Sequence, residues 1–183
     1  MARLSSSLQK FSITMKRADL PASIGAPSSS GTADLGCNKM NEQTQKLGSL
    51  KVGDTLPALQ TGPISRHAIA LYAAGSSDLN PIHTDIDFAK HKAGLPDVIV
   101  HGMFVMGYLA KIGTEYAPAG AVRRIKTQFR TMTNVGDNLV CTGKVTDKQS
   151  RDGATILTCA LAATRQDDVV VATGEIDIVV GAA

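Results

Sequence analysis

Hydrophobic and polar positions alternate most clearly in the second half of the chain. Four strand-length runs follow one another: Ala121–Thr131, Asn138–Lys148, Ala154–Gln166 and Val169–Val180. In the first, Ile125, Thr127 and Phe129 oppose Arg124, Lys126 and Gln128; in the second, Leu139, Cys141 and Val145 share a face. Such a period of two marks a half-buried strand. Polar turns at Asn134–Asp137, Ser150–Gly153 and Asp167-Asp168 separate the runs, and the last is short enough to force an antiparallel hairpin.

The pattern ahead of these strands is helical. Gly102 to about Tyr116 is apolar on nearly every side, through Met103, Phe104, Val105, Met106, Tyr108, Leu109, Ala110 and Ile112. A helix without a wide polar face must be covered, and the strands are the available cover. Further upstream, Thr55–Ile64 reads as a strand whose Pro57 and Pro63 assign it to an edge or an irregular stretch. Ser65 should cap a helix ending near Gly75, with Ile69, Leu71 and Tyr72 inward. Thr84 or Asp85 should cap a short helix through Lys92, stopped at Gly94 and Pro96. One covered helix with antiparallel strands predicts an α+β domain in which a curved sheet wraps the helix.

Residues 1–45 differ in texture, being rich in Ser, Ala, Gly and Pro and poor in periodic hydrophobics. They read as a disordered or removable extension, leaving 46–183 as the domain. Arg, Lys and Ser before the first acid, Asp19, fit a mitochondrial transit peptide; initiation at Met15 or Met40 is the rival explanation, favoured by the position of Met40 a few residues before the domain, and it makes the protein cytoplasmic. A net charge of +3, no tryptophan and no basic stripe argue against a nucleic-acid partner. Without about 18 consecutive apolar residues, no membrane span is expected. Cys37, Cys141 and Cys159 have neither CxxC nor zinc spacing and suggest a reducing compartment.

The candidate chemistry lies between Ala74 and Lys111. Asp78-Leu79-Asn80-Pro81-Ile82-His83 sets a carboxylate and an imidazole on either side of a proline. Pro81 restricts its own φ and disfavours the helical region for Asn80, predicting a stiff extended turn rather than a helix. Such a turn can hold two side chains at a fixed separation for acid–base work. Asx residues before proline also stabilise turns for purely local reasons, so the spacing alone leaves a structural role open. His83, Asp85, His91 and His101 match no ordinary zinc spacing, and no metal is expected.

The segment SSDLNPIHTDIDFAKHKAGLPDVIVHGMFVMGYL resembles the signature of the MaoC-like, (R)-specific enoyl-CoA hydratase family, or hydratase 2. That pattern is roughly S-G-D-x-N-P-[LIV]-H, followed by I-x-H-G-[ML] at the start of a central helix; the resemblance covers about Gly48 to Val180. It implies a hot-dog fold, a homodimer joined sheet edge to sheet edge, and a hydro-lyase that interconverts trans-2-enoyl and (3R)-hydroxyacyl thioesters without a cofactor. By the same resemblance, Asp78 and His83 hold one water, with Asp78 as general base and His83 relaying the proton, a division that could be reversed. The Gly102 amide would meet the thioester oxyanion, while Asn80, His101 and Met103 would lie against the substrate, Asn80 and His101 mainly in structural roles.

The thioester could be carried by coenzyme A or by acyl carrier protein, with Lys90, Lys92, Arg123 and Arg124 as candidate contacts. The alternatives are a (3R)-hydroxyacyl-ACP dehydratase or a non-catalytic thioester-binding subunit; a hot-dog thioesterase is disfavoured because that branch places its carboxylate differently. Ser77 departs from the pattern, standing where the family commonly has glycine. If that position requires positive φ, serine is strained there.

Overall fold

The computed structural model describes residues 10–14, 47–115, 117, 120–151 and 154–182. In chain order the elements are β1 Lys10–Thr14, β2 Thr55–Gln60, α1 Arg66–Ser76, α2 Pro81–Thr84, α3 Ile86–His91, α4 Gly102–Thr114, β3 Val122–Phe129, β4 Leu139–Arg151, β5 Ala154–Arg165 and β6 Val170–Ala182. The strands form one sheet in the order β1-β3-β6-β5-β4-β2, with every pair antiparallel.

Of the four predicted strands, β4–β5 and β5–β6 are adjacent antiparallel pairs, whereas β3 pairs with β6 rather than with β4. Leu139, Cys141 and Val145 are all buried, as their alternation implied. β4 runs on through Ser150 to Arg151 and β5 begins at Ala154, and the rest of the predicted Ser150–Gly153 turn lies outside the described residues. β2 is an edge strand with a register shift between Leu56 and Leu59 at its proline, and it stops at Gln60 rather than Ile64. Lys10–Thr14 departs from the expectation of a structureless extension, pairing with β3 from Lys10↔Gln128 to Thr14↔Arg124. An unpaired edge of β3 would present a row of open amides and carbonyls, and any short extended segment can satisfy them. The rest of the 1–45 extension lies outside the described residues.

α4 packs against the sheet through Val105, Leu109 and Ile112, one helical face, together with Met106 and Gly113. Gly113 permits the closest approach: a Cβ there would come within 2.6 Å of the Ile176 side chain. The helix is not covered all round. Gly107 and Lys111 are exposed, while Phe104 and Tyr108 are half-buried in an aromatic row with Tyr72 of α1. On α1 the buried residues are Ile69 and Ala73, and Leu71 is 61% exposed, contrary to its predicted inward position. Leu71 is two residues from Ile69, about 200° around a 3.6-residue helix, so both cannot face the same core. Cys141 and Cys159 are free and buried, and burial pushes both thiols up to about 11, which leaves them acting as core hydrophobes.

Candidate active site

Two short segments build the site, and each is fixed by its own local chemistry. α1 begins where the Ser65 hydroxyl accepts from the Ala68 amide at 3.1 Å and ends at Ser77, whose φ of 59° and ψ of 18° are left-handed. Ser76 ties the exit down: its hydroxyl donates to the Tyr72 carbonyl at 2.7 Å and accepts from the Asp78 amide at 3.3 Å.

The following bend differs from the extended turn predicted for it, because Pro81 starts a helical turn, α2. Proline lacks only a donor that the first helical turn leaves unpaired, and its fixed φ suits that position. The side chain of Asn80 caps the turn, accepting from the Ile82 amide at 3.2 Å. Asp85 then caps α3, accepting from the amides of Asp87 and Phe88.

The second segment, 98–101, lies against the first. The Ile99 amide donates to the Ile82 carbonyl at 3.1 Å, and the Val100 amide donates to Thr133 at 2.9 Å. The ring of His83 donates from Nδ1 to the Ile99 carbonyl at 2.7 Å. Because a carbonyl can only accept, this bond places the proton on Nδ1 and leaves Nε2 of the neutral ring as an acceptor. Partial burial lowers the His83 pKa and the neighbouring His101 lowers it further, against opposing effects from the Ile99 carbonyl and Asp78.

His101 is 1% exposed and opens α4, yet its side chain makes no capping bond. Its Nε2 instead donates to the Asp78 carbonyl at 3.0 Å, while its ring stacks on His83 with centroids 3.7 Å apart. One imidazole thus anchors the main chain of Asp78 and supports the ring of His83. Its Nδ1 is buried without a partner among the described residues.

Polar atoms of Asp78, His83 and His101 lie within 4.8 Å of one another, close enough for the Asp78 carboxylate and the His83 imidazole to bind one water between them. Asp78 is exposed and His83 half-buried. On the inner side, His83 and Gly102 share a cavity of about 320 Å³ whose apolar wall includes Ile82, Ile99, Val105 and Phe129. Gly102 is the first residue of α4, so its amide is among those that an α-helix cannot pair internally. A Cβ on Gly102 would press on the Phe129 ring at 3.2 Å, so the glycine permits the helix start to seat against β3.

The structure therefore brings Asp78, His83 and His101 together and puts Gly102 on the same cavity as His83. Asn80 is committed to capping, and Met103 packs on the core without lining that cavity. The Ile99 carbonyl, Phe129 and the Arg130–Thr133 segment were not legible in sequence. A main-chain carbonyl carries no residue signature, and the other residues join the site only through strand register.

Residues 49–165 match the sequence profile of the MaoC-like domain. The chain belongs to the MaoC-like domain family. Among solved structures of comparable fold, the (R)-hydratase PhaJ1 from Pseudomonas aeruginosa aligns with a TM-score of 0.65 at 25% identity, over 74% of this chain and 85% of the other. The (R)-hydratase from A. caviae involved in PHA biosynthesis aligns at 0.60 and 28%, over 71% and 96%. These likenesses give this MaoC-like chain the hot-dog fold that its motifs implied.

Two curated relatives come from Arabidopsis thaliana. The mitochondrial 3-hydroxyacyl-[acyl-carrier-protein] dehydratase is 35% identical over 91 residues, half of this chain and 53% of its own. The peroxisomal enoyl-CoA hydratase 2 is 37% identical over 68 residues, 36% of this chain and 22% of its own. The matches thus span about half the length of the first relative and less of the second. No helix among the described residues is long and apolar enough to cross a membrane.

Proposed function

We propose that the protein is an (R)-specific hydro-lyase interconverting trans-2-enoyl and (3R)-hydroxyacyl thioesters. The observation that carries this reading is the approach of Asp78 and His83 to within 4.8 Å, with His83 lining a cavity that also holds the first residue of α4. Of the two divisions of labour, the hydrogen bonding favours His83 as the base. With Nδ1–H held by Ile99, Nε2 takes a proton from the water as the oxygen attacks C3, then returns it to C2 on the same face. Asp78 accepts a hydrogen bond from the O–H that the water keeps and stabilises the transient imidazolium. The Gly102 amide receives the charge that develops on the thioester oxygen, and the partial positive charge of the helix start adds to it. Every step is a proton transfer or an addition, so the scheme invokes no redox cofactor or metal.

The test is turnover of crotonyl-CoA, followed by the loss of enoyl absorbance. Asp78→Asn and His83→Ala should each lower kcat by a factor of about 10² or more while leaving the thermal midpoint near wild type. Retained activity in both variants would end this assignment. A second reading, dehydration on acyl carrier protein, draws on the relative carrying that name; a larger kcat/KM for crotonyl-ACP than for crotonyl-CoA would select it. The same relative is named mitochondrial, which favours import by residues 1–45 over the cytoplasmic alternative. A fluorescent fusion carrying those residues tests the compartment. A homodimer is proposed as well, to be measured by light scattering. Because β1 occupies the outer edge of β3, joining two sheets along that edge requires β1 to leave.

A further inference from the structure

Among the described arginines, three are neutralised by carboxylates. Arg66 pairs with Asp97, Arg124 with Glu175 and Asp177, and Arg165 with Asp137 and Asp167. This removes Arg124 from the cations that the sequence offered to a carrier. Arg130 differs: among the described residues it has no carboxylate partner, and its Nε donates to the neutral Thr173 hydroxyl at 3.3 Å. Its main chain is fixed as well, the amide donating to the Val171 carbonyl at 2.8 Å.

Arg130 also lines the cavity that His83 and Gly102 share, and no acidic residue lines that cavity. The guanidinium is thus held in direction by a hydroxyl, has no carboxylate beside it among the described residues, and has terminal N–H groups left to donate. A guanidinium in this state matches the geometry of a phosphate, which it can grip through two parallel hydrogen bonds. Position narrows the choice of anion. Arg130 directly follows Phe129, whose ring touches Gly102, and with the exposed Thr131 and Met132 it forms the solvent side of the cavity. Anything bound by its thioester at Gly102 and leaving toward solvent along this wall passes Arg130.

Resting on the thioester reading above, we infer that Arg130 seats the phosphate of the phosphopantetheine arm, the one anion that coenzyme A and acyl carrier protein share. Arg130 is exposed, so its replacement leaves the core intact. The discriminating substrates are crotonyl-pantetheine, crotonyl-4′-phosphopantetheine and crotonyl-CoA, assayed with wild type, Arg130→Gln and Arg130→Lys. Arg130→Gln should raise KM about tenfold for both phosphorylated substrates, the loss of one charge-assisted contact, with kcat unchanged. Crotonyl-pantetheine should be insensitive to the substitution, and Arg130→Lys should recover part of the loss.

An equal change on all three substrates, no change on any, or a change confined to crotonyl-CoA would overturn the assignment; the last would point to the nucleotide phosphates instead. Calorimetric binding of the saturated butyryl thioesters separates this inference from the hydration reading. If wild type fails to turn over crotonyl thioesters but binds butyryl-phosphopantetheine more tightly than butyryl-pantetheine, and Arg130→Gln abolishes the difference, hydration falls and the phosphate seat stands. If wild type binds the two equally, the seat falls whatever the turnover.

Discussion

Replacing Ser77 by glycine should stabilise the protein without re-aiming the Asp78 carboxylate. Ser77 holds φ at 59° and ψ at 18°, and its hydroxyl makes no hydrogen bond among the described residues. The left-handed conformation costs a residue with a Cβ about 1–2 kcal/mol, a cost that glycine avoids. Against this, glycine gives the unfolded chain more freedom, worth about 0.4–1 kcal/mol. The difference leaves roughly 0.5–1 kcal/mol of stabilisation for Ser77→Gly, a rise in Tm of about 1–4 °C for a chain of this size. Ser77→Ala keeps the Cβ and the strain, so it should stay within about 0.5 kcal/mol of wild type. Because the backbone already adopts the conformation that glycine favours, Asp78 keeps its anchor to His101, and kcat/KM for crotonyl-CoA should change by less than about threefold. Scanning calorimetry and the enoyl assay on the three proteins settle the matter. A lower Tm for Ser77→Gly, or an equal rise in Ser77→Ala, would show that left-handed strain is not what distinguishes this serine.

Two further outcomes follow from the site. Burial and His101 lower the His83 pKa, and the proposed base works in its neutral form; the acid limb of kcat/KM against pH should therefore fall below the ordinary imidazole value of 6.5. The groups facing the ring are Asp78, His101 and the Ile99 carbonyl, and an acid limb above 6.5 in the wild-type profile would contradict the assignment. Gly102→Ala should lower kcat about tenfold or more, since the new Cβ meets the Phe129 ring at 3.2 Å and must displace the helix start or the ring. Gly102→Ala combined with Phe129→Leu should recover part of that rate, and a double variant no faster than the single one would place the defect elsewhere.

What the sequence showed and what it hid divide along the range of the interactions. Caps are local: Ser65 and Asp85 each bond an amide within three residues, and both helix starts could be read directly. The β4–β6 meander was equally plain, because Leu139, Cys141 and Val145 repeat the period of the pleat and short polar turns separate the strands. The Asp78–His83 motif was visible for the same reason, although its shape was misjudged. Pro81 taken alone reads as a helix breaker, whereas Asn80 ahead of it supplies a cap and makes proline a good first helical residue.

The other half of the site depends on pairings distant in sequence, and no local pattern announces them. Phe129 reaches Gly102 from β3, whose place is set by the register Phe129↔Ala172 and Ile125↔Ile176 with β6. Arg130 inherits its position from the same pairing, through the Val171 carbonyl and the Thr173 hydroxyl. A motif can thus name the groups that handle protons while the sheet decides what stands opposite them. In this chain the opposite wall carries Arg130, so on the inference above carrier recognition would be set by strand register rather than by the Asp–Pro–His bend. Altering the β3–β6 pairing should then disturb KM for phosphorylated thioesters before it disturbs proton transfer. The reverse order would mean that the wall and the bend are mechanically one unit.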